Sequence, residues 1–291
     1  MKSKIFLGLL SLLICININC HIVVADDSSD ESYFEMEENS DGEVVLKKYT
    51  LTLEKFLKDK EDVPAEAIKS PDVRIPDEVN YIAKDAFKGC ILGNVTMSDN
   101  VKEIEEFAFS GTRIHNIELS NNITEINVCT FKHCDFHKIS LPDNLETIGG
   151  SAFESCTHLE SIKIPNNVEE INDSAFESCI NLKSVKIPNS VRFIGNQAFC
   201  HTKLKSVYIP KGVETIVDEA FGRTVIIVGE KNSEAERYAK KNGNIFMTPK
   251  EKAFCDKYVN VKSISICMII IIVIIVIIIK KIKCYKYKNN I

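Results

Sequence analysis

Apolar residues recur along the middle of the chain in three registers that advance together. The most regular is a phenylalanine that returns every 22 or 23 residues, at positions 87, 109, 131, 153, 176, 199 and 221. A pair of aliphatic residues keeps the same steps, as Val79/Ile82, Val101/Ile104, Ile123/Ile126, Leu145/Ile148, Val168/Ile171, Val191/Ile194 and Val213/Ile216. A third series marks strand ends at Ile75, Met97, Leu119, Leu141, Ile164, Ile187 and Ile209. Self-similarity of this kind predicts a solenoid of seven stacked coils.

A single copy, residues 159–165, shows what each coil contributes. Ile162 and Ile164 alternate with polar residues, which predicts a short, half-buried strand. Pro165 cannot donate to a strand ladder and therefore ends the strand. One coil has too few apolar side chains for a core of its own, whereas stacked coils share one, with parallel strands about 4.8 Å apart. We therefore expect one core that runs continuously through the coils.

The pattern Leu-x-x-Ile-x-Ile-Pro-x-x-Val-x-x-Ile-x-x-x-Ala-Phe-x-x-Cys resembles the BspA-like class of leucine-rich repeats. The copies at 136–158, 159–181 and 182–203 fit it best, and the resemblance covers residues 73–228. Ser98 and Ser120 depart from the pattern in the position of the proline. The resemblance implies an α/β solenoid, a right-handed leucine-rich-repeat arc with a parallel sheet on the concave face. It also implies a class of bacterial and protist surface proteins, several of which are implicated in adhesion.

Segments on both sides of the repeats are predicted to cover the ends of the solenoid, which would otherwise expose its core. Residues 44–72 alternate apolar and polar and are the expected N-terminal cap, and residues 229–262 are a helical C-terminal cap and stalk. Ser233 and Glu236 have the spacing of a capping box at the start of the cap helix. Gly243 is the expected end of that helix.

The two ends of the chain have the patterns of membrane-targeted proteins. Residues 1–25 combine a basic start, an apolar run and a cleavage site after Ala25, which predicts a signal peptide. Residues 263–279 are uncharged and would form roughly 25 Å of helix, which predicts one transmembrane helix. The basic segment 280–291 is then cytoplasmic, and we expect a single-pass type I protein of the plasma membrane with its repeats extracellular. Residues 26–43 have nine acids and no base, and this composition predicts disorder.

Seven cysteines lie between the predicted signal peptide and the predicted transmembrane helix. Cys90, Cys134, Cys156 and Cys179 come three residues after a repeat phenylalanine, where other copies have threonine. A position that accepts either residue favours a small, weakly polar side chain, so we expect these four to form a buried row of reduced thiols, the thiol row. Cys255 lies apart from it, and both a free thiol and a disulfide-linked dimer through Cys255 stay open.

The sequence has few features of a catalytic or metal-binding protein. Cys129, His133, Cys134 and His137 lie close together, but their spacing fits no common zinc pattern and Cys134 belongs to the thiol row. Nucleophile elbows, His-Glu-x-x-His motifs and glycine-rich phosphate loops are absent from the sequence. A net charge of −5 gives no reason to expect nucleic acid. We expect no enzyme activity, no metal and no cofactor.

The side chain between the two inward residues of each strand points away from the core. These side chains form a first outward row, which is Thr96, Glu118, Ser140, Lys163, Lys186 and Tyr208. The second row is Asn94, Asn116, Lys138, Ser161, Ser184 and Ser206. Lys138, Lys163, Lys186 and Tyr208 collect near one end and predict a binding site for an extracellular protein or an anionic glycan. The alternative is that these lysines only keep an exposed face soluble.

Three sequons predict N-glycosylation, at Asn94, Asn122 and Asn172. Two functions stay open at this point. One is a binding module that acts in adhesion through its concave face, and the other is a structural surface-coat antigen without a specific ligand. A binding face should cluster particular side chains on its strands, whereas a coat needs only solubility.

Overall fold

The repeats form a parallel β-solenoid. A computed structural model of the chain describes residues 33–49 and 70–258 and divides the chain into two compact units, Met1–Phe246 and Met247–Ile291. The strands in chain order are β1 (Phe34–Glu38), β2 (Val44–Tyr49), β3 (Val73–Arg74), β4 (Val79–Ile82), β5 (Ile91–Thr96), β6 (Glu103–Ile104), β7 (Arg113–Glu118), β8 (Glu125–Ile126), β9 (Thr147–Ile148), β10 (Ser161–Lys163), β11 (Glu170–Ile171), β12 (Ser184–Lys186), β13 (Phe193–Ile194), β14 (Ser206–Tyr208), β15 (Thr215–Ile216), β16 (Ile226–Val228) and β17 (Phe246–Met247). The helices are α1 (Glu234–Asn242) and α2 (Pro249–Tyr258).

Most coils give one short strand to each of two sides of the solenoid, and the coil of Ser140 gives only a bridge to the first side. The first side, sheet A, contains the parallel sets β3-β5-β7, β10-β12 and β14-β16. A parallel bridge between Glu118 and Ser140 continues sheet A between the first two sets. The second side, sheet B, contains β2-β4-β6 and β8-β9-β11-β13-β15, again in parallel. Within each set, pairing of equivalent residues in neighbouring coils keeps the registers of the sequence aligned.

The core lies between the two sheets and a third side made of turns. The seven repeat phenylalanines are fully buried or nearly so, and they form the phenylalanine row, with neighbouring ring centroids 4.8 to 5.6 Å apart and near-parallel planes. Tyr49 stacks on Phe87 at 5.2 Å and continues the row at the N-terminal end. Tyr238 of α1 closes the row at the other end, edge-on to Phe221 at 5.8 Å.

The third side explains why the predicted α/β solenoid is wrong. Between Val73 and Val228, all of which the structure describes, there is no helix. In six coils the residues two before and two after the phenylalanine both have positive φ: Asp85 and Gly89, Phe107 and Gly111, Cys129 and His133, Ser151 and Ser155, Ser174 and Ser178, Gln197 and His201. The phenylalanine amide then donates to the next coil, as Phe153 does to Ala175 at 2.8 Å. Two left-handed residues and bonds between coils exclude the i→i−4 bonds of a helix.

The transmembrane helix that belongs to the predicted fold class is corrected as well. Neither helix in the described ranges is long and apolar enough to cross a membrane. The segment to which the helix was assigned, 263–279, lies outside the described residues, as do the predicted signal peptide 1–25 and the predicted tail 280–291.

The N-terminal end differs from the sequence prediction in detail. Strand β1 lies inside the acidic segment 26–43, for which the composition predicts disorder, and it pairs with β2 in an antiparallel hairpin. Phe34 explains the order, because its ring packs on Tyr49 with centroids 5.0 Å apart. The hairpin turn has Gly42 at a φ of 76°. Acidic residues alternate with Phe34 and Met36, so one side of β1 is apolar even though the segment as a whole is not.

The C-terminal cap is helical, as predicted, but its N-terminus is not the predicted capping box. The Ser233 hydroxyl donates to the carbonyl oxygen of Glu230 at 2.6 Å and makes no cap bond. Glu236 accepts from the amide of Asn232, at 2.7 Å. Gly243 ends α1 at a φ of 75°, which confirms the predicted stop. In the second unit, α2 begins directly after Thr248.

Candidate functional site

The outward side chains of sheet A form the surface that the sequence selects for binding, and we call it the strand face. Each short strand presents one exposed side chain between two inward ones, as Lys163 lies between buried Ile162 and Ile164. Lys163 and Lys186 are register partners on the paired strands β10 and β12. Partners on neighbouring parallel strands lie about 4.8 Å apart along the solenoid. The structure therefore places these two predicted lysines side by side.

The other two predicted residues border this pair. Tyr208 occupies the same position on β14 and keeps 45% of its surface exposed, in register with Val228 of β16. Lys138 is exposed as well, but it belongs to the second row and precedes Ser161 there. The structure therefore brings Lys163, Lys186 and Tyr208 into one row and leaves Lys138 beside it.

The charges of the predicted lysines are not neutralised within the described part of the chain. Lys138, Lys163 and Lys186 have no carboxylate within ion-pair distance there. Lys183, which directly precedes β12, contrasts with them because it pairs with Glu160 at 3.0 Å. The hydrogen bond from Lys183 lowers the pKa of the Glu160 carboxyl, and nearby His137 and Lys138 lower it further.

Sheet B presents the opposite charge. Its outward row is Glu103, Glu125, Thr147, Glu170, Phe193 and Thr215. Burial, with Glu103 and Glu170 on either side, raises the pKa of the Glu125 carboxyl. The two sheets therefore offer an anionic partner very different surfaces, one with unpaired lysines and one with crowded carboxylates.

Two of the predicted glycosylation residues are engaged in the fold. The Asn94 amide donates to Asp72 at 2.8 Å, and the Asn122 amide donates to the carbonyl oxygen of Asp99 at 2.5 Å. Asn122 belongs to a row of asparagines that link successive coils in the same way, together with Asn100, Asn144 and Asn167. Asn172 is half-buried beside β11. A row with this structural role was missed in the sequence, although its 22- and 23-residue steps were visible. Glycosylation stays a prediction.

The thiol row has the predicted arrangement. All four cysteines are buried, and Cys134, Cys156 and Cys179 are free thiols that donate to the carbonyl oxygens of Phe109, Phe131 and Phe153 at 3.0 to 3.1 Å. Thr112 makes the equivalent bond to Phe87 at 2.8 Å. Burial raises the pKa of all three thiols, that of Cys179 to about 12.

The cluster Cys129, His133, Cys134 and His137 does not converge. Cys134 points into the core, whereas His133 and His137 are exposed. Within residues 33–49 and 70–258, no three side chains of the metal-binding types meet. Cys255 lies in α2 and is half-buried, and partial burial raises the pKa of its thiol. A disulfide-linked dimer through Cys255 stays a prediction.

Comparison with known proteins shows to which family the sequence is similar. The sequence profile of the BspA type leucine rich repeat region matches in six copies, over residues 66–136 and 124–230. The crystal structure of the leucine-rich repeat protein TpLRR of T. pallidum is 23% identical, covers 74% of this chain and 96% of its own, and has a TM-score of 0.52. A leucine-rich repeat protein from Bacteroides ovatus ATCC 8483 is 21% identical over 74% of this chain and 66% of its own, with a TM-score of 0.37.

Of these two structures, the first supports the fold and nothing more at its level of identity. No curated protein matches the chain. The profile, by contrast, spans more than half of the chain and confirms the resemblance that the repeat pattern indicates. The chain therefore belongs to the BspA-type leucine-rich-repeat family.

Proposed function

We propose that the chain is a non-catalytic cell-surface protein that binds an anionic protein or glycan with its strand face and acts in adhesion. The observation that carries this proposal is the pair Lys163 and Lys186, which are register partners, exposed, and without an ion pair in the described residues. Like charges that lie directly opposite each other destabilise a sheet. A repulsive pair on an exposed face is more readily explained by a partner than by solubility.

Three other lysines of the repeats contrast with this pair. Lys84 pairs with Glu106 at 3.1 Å, Lys88 with Asp85 at 2.7 Å, and Lys132 with Glu154 at 2.8 Å. Lysines that only solubilise the surface would be expected to find carboxylates in the same way, because the chain has more acids than bases. Lys138, Lys163 and Lys186 have no such pair in the described residues and lie on three successive coils, whereas Lys205 and Lys211, also without an ion pair there, lie outside the strands of sheet A.

Tyr208 adds an apolar contact to this positive surface. Exposed tyrosine is enriched among residues that dominate binding energy, since its ring buries a large area and its hydroxyl still bonds. The ring lies one strand beyond Lys186, on β14. A partner that bridged these side chains would combine charge attraction with stacking. The predicted signal peptide supports export of the protein, which an extracellular partner requires.

The test compares the full-length chain with a Lys163→Glu/Lys186→Glu variant on immobilised heparin and on immobilised poly-glutamate, across a salt series. We expect the parent to bind at least one polyanion and to weaken as salt rises, since screening shortens the reach of exposed charges. The variant should lose at least tenfold in affinity. Preference for heparin would favour a glycan, and preference for poly-glutamate a protein partner.

The matched control is Arg223→Glu/Lys231→Glu, which makes the same change in net charge at exposed positions outside sheet A. The control should bind as the parent does. Equal losses in both variants would mean that net charge alone matters. If the parent does not bind, or binds independently of salt, the proposed binding function is wrong and the alternative function, a structural surface coat that has no specific ligand, remains.

A further inference from the structure

Three histidines lie along the basic end of the strand face. His115 and His137 occupy equivalent positions in successive coils, one residue before Asn116 and Lys138 of the second row. His158 belongs to the next coil, and its ring centroid is 5.3 Å from that of His137. All three rings are exposed, so all three are open to solvent protons and to a partner.

Backbone hydrogen bonds place His137 in line with Glu160 and Lys183. The Glu160 amide donates to the carbonyl oxygen of His137 at 3.4 Å, and the Lys183 amide donates to that of Glu160 at 3.0 Å. His137, Glu160 and Lys183 therefore follow one another in a third row, parallel to the second. Lys138 is the direct chain neighbour of His137, so a charge gained there adds to the charge of the proposed site.

Two carboxylates near the histidines have partners of their own, although Glu160 also interacts electrostatically with His137. Asp135 accepts from the Ile114 amide at 3.1 Å and lies 3.9 Å from the Arg113 guanidinium. Glu160 is paired with Lys183, and this bond lowers the pKa of the Glu160 carboxyl, so Glu160 stays ionised in mild acid. Glu118 in the first row is the other acid on this part of the face. On the side of the following coil, the neutral Asn181 donates from its amide to the carbonyl oxygen of Thr157, the residue before His158, at 2.7 Å.

We propose that His115, His137 and His158 extend the anion-binding surface and strengthen its binding on acidification. The inference rests on the proposed function of the strand face. Histidine is the side chain that ordinarily changes charge between about pH 5 and pH 8. Protonation would add as many as three positive charges near Lys138, whereas the Glu160 carboxylate, paired with Lys183, stays ionised. A sulfated partner also stays fully charged over this range, so the protein alone sets the pH dependence.

The experiment measures affinity of the full-length chain for heparin at pH 7.5 and pH 5.5, at one ionic strength. A charge about 8 Å from a bound anion in a water-like dielectric changes the affinity about twofold to threefold. Because three histidines contribute, we expect the parent to bind heparin about tenfold more tightly at pH 5.5 than at pH 7.5. In His137→Gln/His158→Gln this ratio should fall to about threefold or less. The matched control His133→Gln/His201→Gln removes two histidines from the turns of the third side and should keep the parent's ratio.

The outcomes separate this inference from the function on which it rests. A parent that binds heparin at neither pH contradicts the proposed function. A parent that binds with a ratio near one, or a double variant that keeps the full ratio, overturns the role of the histidines and leaves the lysine site standing. Thermal melts show whether the double variant is folded. If it is not, His158→Gln alone is measured, and the proposal stands only if this variant lowers the ratio of the affinities at pH 5.5 and pH 7.5 about twofold.

Discussion

The interior rows of the solenoid and its strand face are built on the same coils, yet they differ in how they repeat. The phenylalanine row keeps one residue type through all seven positions, and the seven positions that include the thiol row hold only cysteine or threonine. The first row of the strand face runs from Thr96 and Glu118 to Lys186 and Tyr208 without keeping any type for more than two coils.

The difference follows from what surrounds each row. An interior position meets the same neighbours in every coil, since its partners are its own copies one step before and after. Close packing then selects one volume and one polarity at each such position. An outward position meets solvent, and its side chain changes at little cost. Repetition in the interior therefore reports packing. On the exposed row, where packing does not impose it, the repeated lysine at Lys163 and Lys186 needs another explanation, which the proposed binding function supplies.

The largest expected effect is the loss of one ring from the phenylalanine row. Phe153 is fully buried, stacks between Phe131 at 5.4 Å and Phe176 at 5.1 Å, and meets Phe136 edge-on. Phe153→Ala should lower the free energy of unfolding by about 3–5 kcal/mol, through lost burial and a cavity that stacked coils cannot close. Denaturant unfolding followed by circular dichroism measures it.

The matched control for this loss is Phe193→Ala. Phe193 lies in the outward row of sheet B and is only half-buried. Its removal should cost less than half as much, because half of its surface already meets water. Equal losses of unfolding free energy at the two positions would show that interior and exposed rows contribute alike to stability, which would contradict the difference between them.

The second prediction concerns pH and the thiol row. Burial holds the pKa of Cys134, Cys156 and Cys179 above the ordinary value, so the folded state favours the neutral thiol. An unfolded thiol ionises with a pKa of about 8.5. The stabilisation is therefore complete below about pH 8 and is lost as pH rises towards the folded pKa, which is about 12 for Cys179. As pH rises from 8 to 10, each buried thiol should lower the free energy of unfolding by about 1.5 kcal/mol.

Cys156→Thr isolates one thiol. Thr112 shows that the position accepts threonine, with a hydroxyl bond to the preceding coil that matches the bond of Cys156 to Phe131. The variant should stay within about 1 kcal/mol of the parent at pH 7 and lose about 1.5 kcal/mol less between pH 8 and pH 10. An unchanged alkaline slope, or a Cys156–Cys179 disulfide found by peptide mapping, would contradict a row of reduced, buried thiols.

The sequence predicts the coils, the strands of sheet A and both interior rows, because each depends on a side-chain type that recurs. It predicts the turns of the third side less well. Positive φ is shared there by glycine, serine, histidine and even Phe107, so no single residue type marks the left-handed conformation. The backbone bonds between coils impose it, and those bonds do not depend on side chains.

The two ends were also only partly predictable. The stacking of Tyr49 on the phenylalanine row depends on a contact between segments far apart in sequence, as does the order of β1 through Phe34. Tyr238 closes the other end, and its hydroxyl accepts from the Phe221 amide at 2.9 Å. The amphipathic pattern of α1 indicates a buried side, but it does not show which residue meets the last ring. On the strand face, sequence spacing predicts the register of Lys163 and Lys186. The ion pair of Lys183 with Glu160 depends on side-chain conformation and is seen only in the structure.

The smallest expected effect is the most specific to the strand face. Lys186 lies opposite Lys163 without a counter-ion in the described residues, so Lys186→Ala should relieve repulsion and raise Tm by about 1 °C. Lys183 lies three residues earlier on the same coil and pairs with Glu160 at 3.0 Å, so Lys183→Ala should lower Tm slightly instead. Differential scanning calorimetry at low salt measures both changes, and high salt should reduce both because the charges are exposed. Two changes of the same sign would mean that the lysines differ only in local packing, and the strand face would lose the unpaired positive charge on which its proposed function depends.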